Sequence, residues 1–424
     1  MDRRHLVVLG GILVVALALR VGMVVATPDY RPVTDDLDYD RNAVALVDFR
    51  SYAPPLAVTG GGEASAFRPP LYPFSLAAVY AVSGTGDTGV RWDAGRVAQA
   101  GLGTLAVALT VLVAWLLAGP GAGLVAGALA AVFPPLLMIS SSLLTENLFI
   151  CCELGALAAV LWFRRTGSTR WLVLAGVGVG LAGLTRGNGL ILVVPLLLGA
   201  WTGRPRFSRS ALAAPAVLVV AAALTVAPWT VRNAVALDAF VPVSTQSGFA
   251  LAGQFNVTTQ EAGGPPRLWR SPYLLPEFQA LFVAMPPLGE LEVRRRLRRS
   301  ARDYIRDHPG ALADSAWWNG RRLLALDGLD VERGYAAAIG LPQWVSDLAI
   351  YGFLVLAPLA VLGALTAGAR RVPPWVWLMP ALLLLSILFV SGAQRYRTTA
   401  DPFVILLAAL ALCSVAERLG ARRA

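Results

Sequence analysis

The chain has 424 residues, of which 56% are hydrophobic and 15% charged, with a formal net charge of +10. So little charge leaves no large water-facing surface, which excludes an ordinary soluble globular domain. All the basic side chains are arginine and most stand at the ends of apolar runs rather than in one patch, which argues for a membrane and against nucleic acid as the partner.

The richness in Ala, Gly, Val and Leu without lysine suggests a GC-rich bacterial genome, hence a bacterial plasma membrane. Cys151, Cys152 and Cys413 fall inside apolar segments, where they serve as small hydrophobes, not as a disulfide framework. His5 and His308 are too few and too far apart for a metal cluster.

Apolar runs at 6–26, 94–118, 121–139, 143–163, 171–185, 187–202, 211–229, 346–367, 373–391 and 400–417 predict an all-α polytopic membrane protein of about ten helices. The first run is long enough to span and lacks a small-x-small cleavage site, so it reads as a retained helix. With a cytoplasmic N-terminus, Arg3/Arg4, Arg164/Arg165/Arg170, Arg204/Arg206/Arg209, Arg370/Arg371 and Arg418/Arg422/Arg423 all fall on the inner side, as does the C-terminus. Two long segments then lie outside, 27–93 and 230–345. The chain divides into an N-terminal transmembrane module 1–229, an extracytoplasmic, mainly helical region 230–345, and C-terminal transmembrane helices 346–424. No internal repeat marks a transporter of two related halves.

The unusual residues gather on the outer side. Four carboxylates stand in Asp35-Asp36-Leu37-Asp38-Tyr39-Asp40. A helix start capped by Thr34 accounts for about two of them, since acids in a first turn complement the helix dipole. In a helix Asp35 and Tyr39 share one face and Asp36 and Asp40 another, so adjacent acids would do different jobs. Arg68-Pro69-Pro70-Leu71 then enters an apolar stretch to Val82, predicted to be a helix at the membrane surface. Glu146 is a costly carboxylate at the outer end of the fourth span. Arg186, Arg395 and Arg397 stand at outer helix ends, where loop-charge bias would not put them, and three such arginines suit a shared anionic ligand better than three lipid anchors. Acids and guanidiniums on one face fit a base that activates a hydroxyl while a phosphate departs, although ion pathways use similar sets.

In order, Asp35-Asp36-Leu37-Asp38-Tyr39, Arg68-Pro69-Pro70-Leu71, Glu146, Thr185-Arg186-Gly187, Pro228-Trp229-Thr230-Val231-Arg232-Asn233 and Arg395-Tyr396-Arg397 resemble the motifs of the GT-C membrane glycosyltransferases, in particular bacterial relatives of protein O-mannosyltransferases and aminoarabinose transferases. Arg186 replaces the usual lysine of its step. The resemblance implies a GT-C-like helix bundle with juxtamembrane helices in the first outer loop. It implies inverting transfer of a sugar from a polyprenyl-phosphate donor to a hydroxyl of a lipid, glycan or protein, on the extracytoplasmic face. Asp35 would be the general base, its pKa raised by desolvation. Asp36, Tyr39, Arg68, Glu146, Arg186, Arg395 and Arg397 would bind substrate, the arginines taking the leaving phosphate, while Arg232 and Asn233 would hold the start of 230–345. Some members of the superfamily use a divalent metal held by acids of two outer loops; Asp35, Asp36 and Glu146 offer oxygens, but with no second paired-acid motif the reading favours no metal and no other cofactor. The rival is a transporter or flippase for an anionic lipid or solute, which predicts polar residues deep in several helices; here the spans are nearly uncharged apart from Arg20 and Glu153.

Overall fold

The computed structural model describes residues 3–52, 64–203, 208–261, 267–284 and 288–421. Arg204, Arg206, Arg422 and Arg423, expected on the inner side, lie outside the described residues. The order is α1 (Arg3–Ala26), α2 (Asp35–Phe49), α3 (Leu71–Ser83), α4 (Thr88–Ala118), α5 (Pro120–Val132), α6 (Pro134–Ser140), α7 (Glu146–Thr166), α8 (Arg170–Thr185), a 3₁₀ segment Gly187–Leu192, α9 (Val193–Ala200) and α10 (Arg209–Leu237). There follow α11 (Ser247–Gln254), α12 (Val257–Glu261), α13 (Gln279–Phe282), α14 (Glu290–Asp307), α15 (Gly310–Leu323), α16 (Leu329–Ala337), α17 (Gln343–Ala364), α18 (Ala367–Arg371), α19 (Pro374–Leu388), α20 (Gln394–Arg397) and α21 (Asp401–Ala421).

The protein is a polytopic, all-helical membrane protein among the described residues. Six helices are long and apolar enough to cross a bilayer, and α5 with α6, bent by 58°, make a seventh. The three remaining expected spans are present as shorter apolar helices: α8, the 3₁₀ segment with α9, and α19. The run at 187–202 is short because it starts in the tighter 3₁₀ winding.

The bend between α5 and α6 explains Arg20. Pro134 and Pro135 have no N–H to give to the carbonyls four residues earlier. Those carbonyls belong to Ala130 and Ala131, and both accept from the guanidinium of Arg20, at 3.3 and 3.2 Å. An arginine fully buried in α1 thus satisfies the break in a neighbouring helix.

One continuous apolar core runs through α1, α4–α9, α17, α19 and α21. At one end of the bundle Arg165 donates to Leu116 O at the close of α4, and Arg164 to Gly199 O at the close of α9. At the other end the 27–93 and 230–345 stretches meet. Glu290, at the start of α14, accepts from Ser65 Oγ, Ala66 N and Thr245 Oγ1. Arg232 donates to Ser65 O and Asn233 to Val241 O, so both fasten the start of 230–345. Helices α11, α14 and α15 close a second, small core around Phe255, Phe278, Val293 and Leu297. Helix α14 presents its arginines outward, with Arg295, Arg296, Arg298, Arg299, Arg302 and Arg306 exposed, as a basic amphipathic helix should.

Candidate active site

The acidic run begins α2 at the end of the bundle where the two long segments meet, and its four carboxylates have four different surroundings. The expected cap is not made by Thr34, whose hydroxyl donates instead to Ala338 O at 2.7 Å. Asp36 does that work: Oδ1 accepts the backbone N–H groups of Val33, Thr34 and Leu37, and Oδ2 accepts the Tyr30 hydroxyl. Fully buried and with both oxygens hydrogen-bonded, Asp36 holds the helix start. Asp40 takes Tyr80 and the fork of Arg91.

Asp35 faces the other way. Its Oδ1 accepts from Arg68 Nη2 at 2.6 Å, and its Oδ2 from Arg395 Nη2. Burial alone would raise its pKa, but the charges of Arg68 and Arg395 outweigh burial and hold the carboxyl well below the usual carboxylate range. The expectation of a raised pKa in the resting protein is therefore wrong, because desolvation is not the only force at this site. The Asp35 side chain keeps 21% of its surface open, against 1% for Glu146, so a reacting hydroxyl can reach it.

Arg68 is held on every side. Its Nε and Nη2 donate to Asp38 Oδ2 at 3.0 and 2.6 Å, and the guanidinium lies 5.3 Å from the Tyr39 ring centroid. The turn that aims it is fixed by prolines and by the Tyr52 hydroxyl, which donates to Arg68 O and Pro69 O. Asp38 was not singled out from the sequence; only the path of Arg68 across α2 shows its part. Tyr39 is buried edge-on to Tyr72, and burial pushes its hydroxyl up, so it stays neutral.

The second half of the site lies on α7, α8 and α20. Glu146 opens α7, where a carboxylate complements the helix dipole, and its Oε1 is 2.7 Å from Arg186 Nη1. Arg186 also donates to Thr145 Oγ1. The guanidiniums of Arg186 and Arg395 lie 4.9 and 4.7 Å from the Tyr396 ring centroid, and Arg395 donates to the Tyr396 hydroxyl. Tyr396 is thus the aromatic surface between two cations, a role its place between two arginines in sequence hid.

Arg397 does not join them. In the short α20 it shares a face with Gln394, and both are buried. Its Nε donates to Asp401 and its Nη1 to Leu323 O, so it anchors the turn that carries Arg395. Expected to take the phosphate, Arg397 is 2% exposed in this structure.

Three carboxylates (Asp35, Asp38 and Glu146) therefore face three guanidiniums (Arg68, Arg186 and Arg395). The donor set does not fit a divalent metal, because Arg68 and Arg395 take both oxygens of Asp35, Arg186 takes Oε1 of Glu146, and backbone N–H groups and the Tyr30 hydroxyl take those of Asp36. Among the described residues no three His, Cys, Asp or Glu converge. A cavity of about 660 Å³ is lined by Tyr52, Leu71, Phe74, Leu184 and Trp229, together with Arg232.

Residues 67–231 match the family model for dolichyl-phosphate-mannose-protein mannosyltransferases, a stretch that includes Arg68, Glu146 and Arg186 and leaves out Asp35 and Arg395. No curated protein matches the chain. Among solved structures, the Archaeoglobus fulgidus oligosaccharyltransferase tethered with an acceptor peptide superposes with TM-score 0.61 at 16% identity, over 100% of this chain and 51% of that one. The same organism's oligosaccharyltransferase AglB, with an inhibitory peptide and dolichol-phosphate, gives 0.58 at 16% identity over 99% and 51%. The chain thus spans about half the length of these structures, and the likeness is one of fold. ArnT from Cupriavidus metallidurans gives 0.44 at 17% identity, over 94% and 76%.

Proposed function

We propose that this chain, whose residues 67–231 match the model of the dolichyl-phosphate-mannose-protein mannosyltransferases, is a membrane glycosyltransferase whose Asp35 site carries out inverting transfer of a sugar from a polyprenyl-phosphate donor to a hydroxyl acceptor. The observation that carries this reading is the double contact of Asp35 with Arg68 and Arg395, beside the Glu146–Arg186–Tyr396 group. The site faces the extracytoplasmic side, and both termini are cytoplasmic; the loop arginines support that orientation.

The acceptor hydroxyl attacks the anomeric carbon, its proton passes to Asp35, and the bond from that carbon to the phosphate oxygen breaks. The departing phosphate takes the electron pair, and Arg395 and Arg186 neutralise the charge that develops on it. In the resting site Asp35 is a weak base because two cations hold it ionised. When Arg395 turns to the phosphate, Asp35 keeps only Arg68 and its basicity rises as the reaction needs it. A positioned base of this kind contributes about 10²–10⁴-fold. Arg68, Asp38 and Tyr39 hold the carboxylate in place, and the apolar walls of the cavity beside Leu71 suit the polyprenyl chain. Labelled-sugar transfer from polyprenyl-phosphate donors, by membranes containing the wild-type chain or Asp35→Asn, tests the reading.

A further inference from the structure

The stretch from α16 to Leu341 touches both halves of the site without contributing a group to it. Thr34, immediately before Asp35, donates its hydroxyl to Ala338 O at 2.7 Å. Gly340, at φ 70°, passes so close to Arg31 O that any side chain there would strike that carbonyl. Two turns earlier Glu332, 3% exposed, accepts through Oε2 from Gln394 Nε2 at 2.8 Å. Gln394 is the residue before Arg395. The stretch is itself fixed to α17, where Arg333 forks onto Asp347 and Ser346 Oγ donates to Glu332 O.

We propose that Glu332 is a positioning residue for the transfer: through Gln394 it sets the turn of α20 that aims Arg395 at Asp35, while Ala338 of the same strap holds the start of α2. This rests on the functional reading above. The logic is that of a two-point mount. In α20 Gln394 and Arg397 share the buried face, and Arg395 and Tyr396 face the site. Arg397 is secured by Asp401 and Leu323 O; Gln394 is secured by Glu332. Loss of either mount frees the guanidinium that Asp35 and the phosphate must share.

Glu332 suits a neutral mount. Burial pushes its carboxyl up to about 8, and Oε1 has no hydrogen-bond partner among the described residues. The charged and titratable groups near it are Arg397 on α20, Arg322 at the end of α15 and Asp327 after it, Tyr335 on its own helix, and the Arg333–Asp347 pair toward α17. Both neighbouring arginines are already matched, Arg397 by Asp401 and Arg322 by Asp327. The hydrogen bond from Gln394 favours the ionised carboxylate while burial opposes it, so the contact stands on geometry in either protonation state.

Glu332→Gln keeps an acceptor for Gln394 and cannot ionise; Glu332→Ala keeps neither. In transfer assays on full-length protein, Glu332→Ala should lower kcat roughly 10- to 100-fold. Glu332→Gln keeps the acceptor and should stay within about twofold of wild type near neutral pH. A wild-type kcat in Glu332→Ala, or a Glu332→Gln as slow as Glu332→Ala, overturns the proposal. A second measurement needs no sugar transfer, so it separates failure of this inference from failure of the functional reading. With Cys151, Cys152 and Cys413 replaced by alanine, Asp35→Cys and Arg395→Cys are joined by a short bis-maleimide. Adding Glu332→Ala should reduce the cross-linking yield several-fold; an equal yield overturns the proposal.

Discussion

Arg395 and Asp35 stand 360 positions apart in sequence and share one ion pair. The contact joins the first loop of the chain to the turn before its last helix, and it is made while Arg68 holds the other oxygen of Asp35. The same arginine lies against Tyr396, whose ring also receives Arg186. One guanidinium therefore touches the proposed base and the proposed phosphate site.

Removing that guanidinium should cost more rate than binding. Arg395→Ala is expected to lower kcat by about 10²–10³-fold, as loss of one preorganised donor to a developing anion does. Arg395→Lys should recover only part of it, because an ammonium cannot reproduce the planar fork. Steady-state kinetics with varied donor separate kcat from KM.

Arg397 should behave in the opposite way, although it lies only two residues away. Arg397→Ala leaves Asp401 fully buried and unpaired, at a cost of about 3–5 kcal/mol in stability. The double variant Arg397→Leu/Asp401→Leu should recover most of it, since no orphan charge remains. Thermal unfolding in detergent reads both.

The low pKa of Asp35 sets a pH dependence of definite sign. A carboxyl depressed in the folded state contributes stability above its unfolded pKa, and loses it as pH falls through the folded one. The stability difference between wild type and Asp35→Asn should therefore be flat from roughly pH 5 to 8 and shrink only below the ordinary carboxylate range. Unfolding midpoints across that range check this; a step between pH 5 and 8 contradicts it.

Arg20→Leu should lower stability without changing kcat. The substitution leaves the carbonyls of Ala130 and Ala131 without the donor that replaces the missing proline N–H groups, at about 1–3 kcal/mol for each orphaned group. Unfolding midpoint and transfer rate, measured together, separate the two effects.

Much of this was legible in the sequence because membrane insertion constrains it strongly. The apolar runs gave the helices. Asp35, Arg68, Glu146, Arg186 and Arg395 could be picked out because a charge at a helix end away from the arginine-rich loops needs a reason. What could not be read was the direction each side chain faces. Asp36 and Asp38 differ by half a turn of helix, and only the packing of Tyr30 and Arg68 decides which one holds the helix start and which one the arginine. Arg395 and Arg397 look equivalent until α20 is seen to bury one face. The part Arg20 plays was hidden because the proline break it satisfies lies over a hundred residues away. Thr34 looked like a cap, but Asp36 reaches the same N–H groups and Ala338 takes the hydroxyl.

The central claim is that Asp35 is the base of a sugar transfer from a lipid phosphate. The most direct measurement is the single-turnover rate of labelled-sugar transfer from a polyprenyl-phosphate donor by membranes carrying wild type, Asp35→Asn or Asp35→Glu at matched expression. The account predicts transfer by wild type, a loss of about 10²-fold or more in Asp35→Asn, and partial activity in Asp35→Glu. Transfer by Asp35→Asn at the wild-type rate would contradict the assignment of the base. No transfer by wild type from any such donor, with movement of an anionic lipid or solute across the membrane instead, would contradict the function itself.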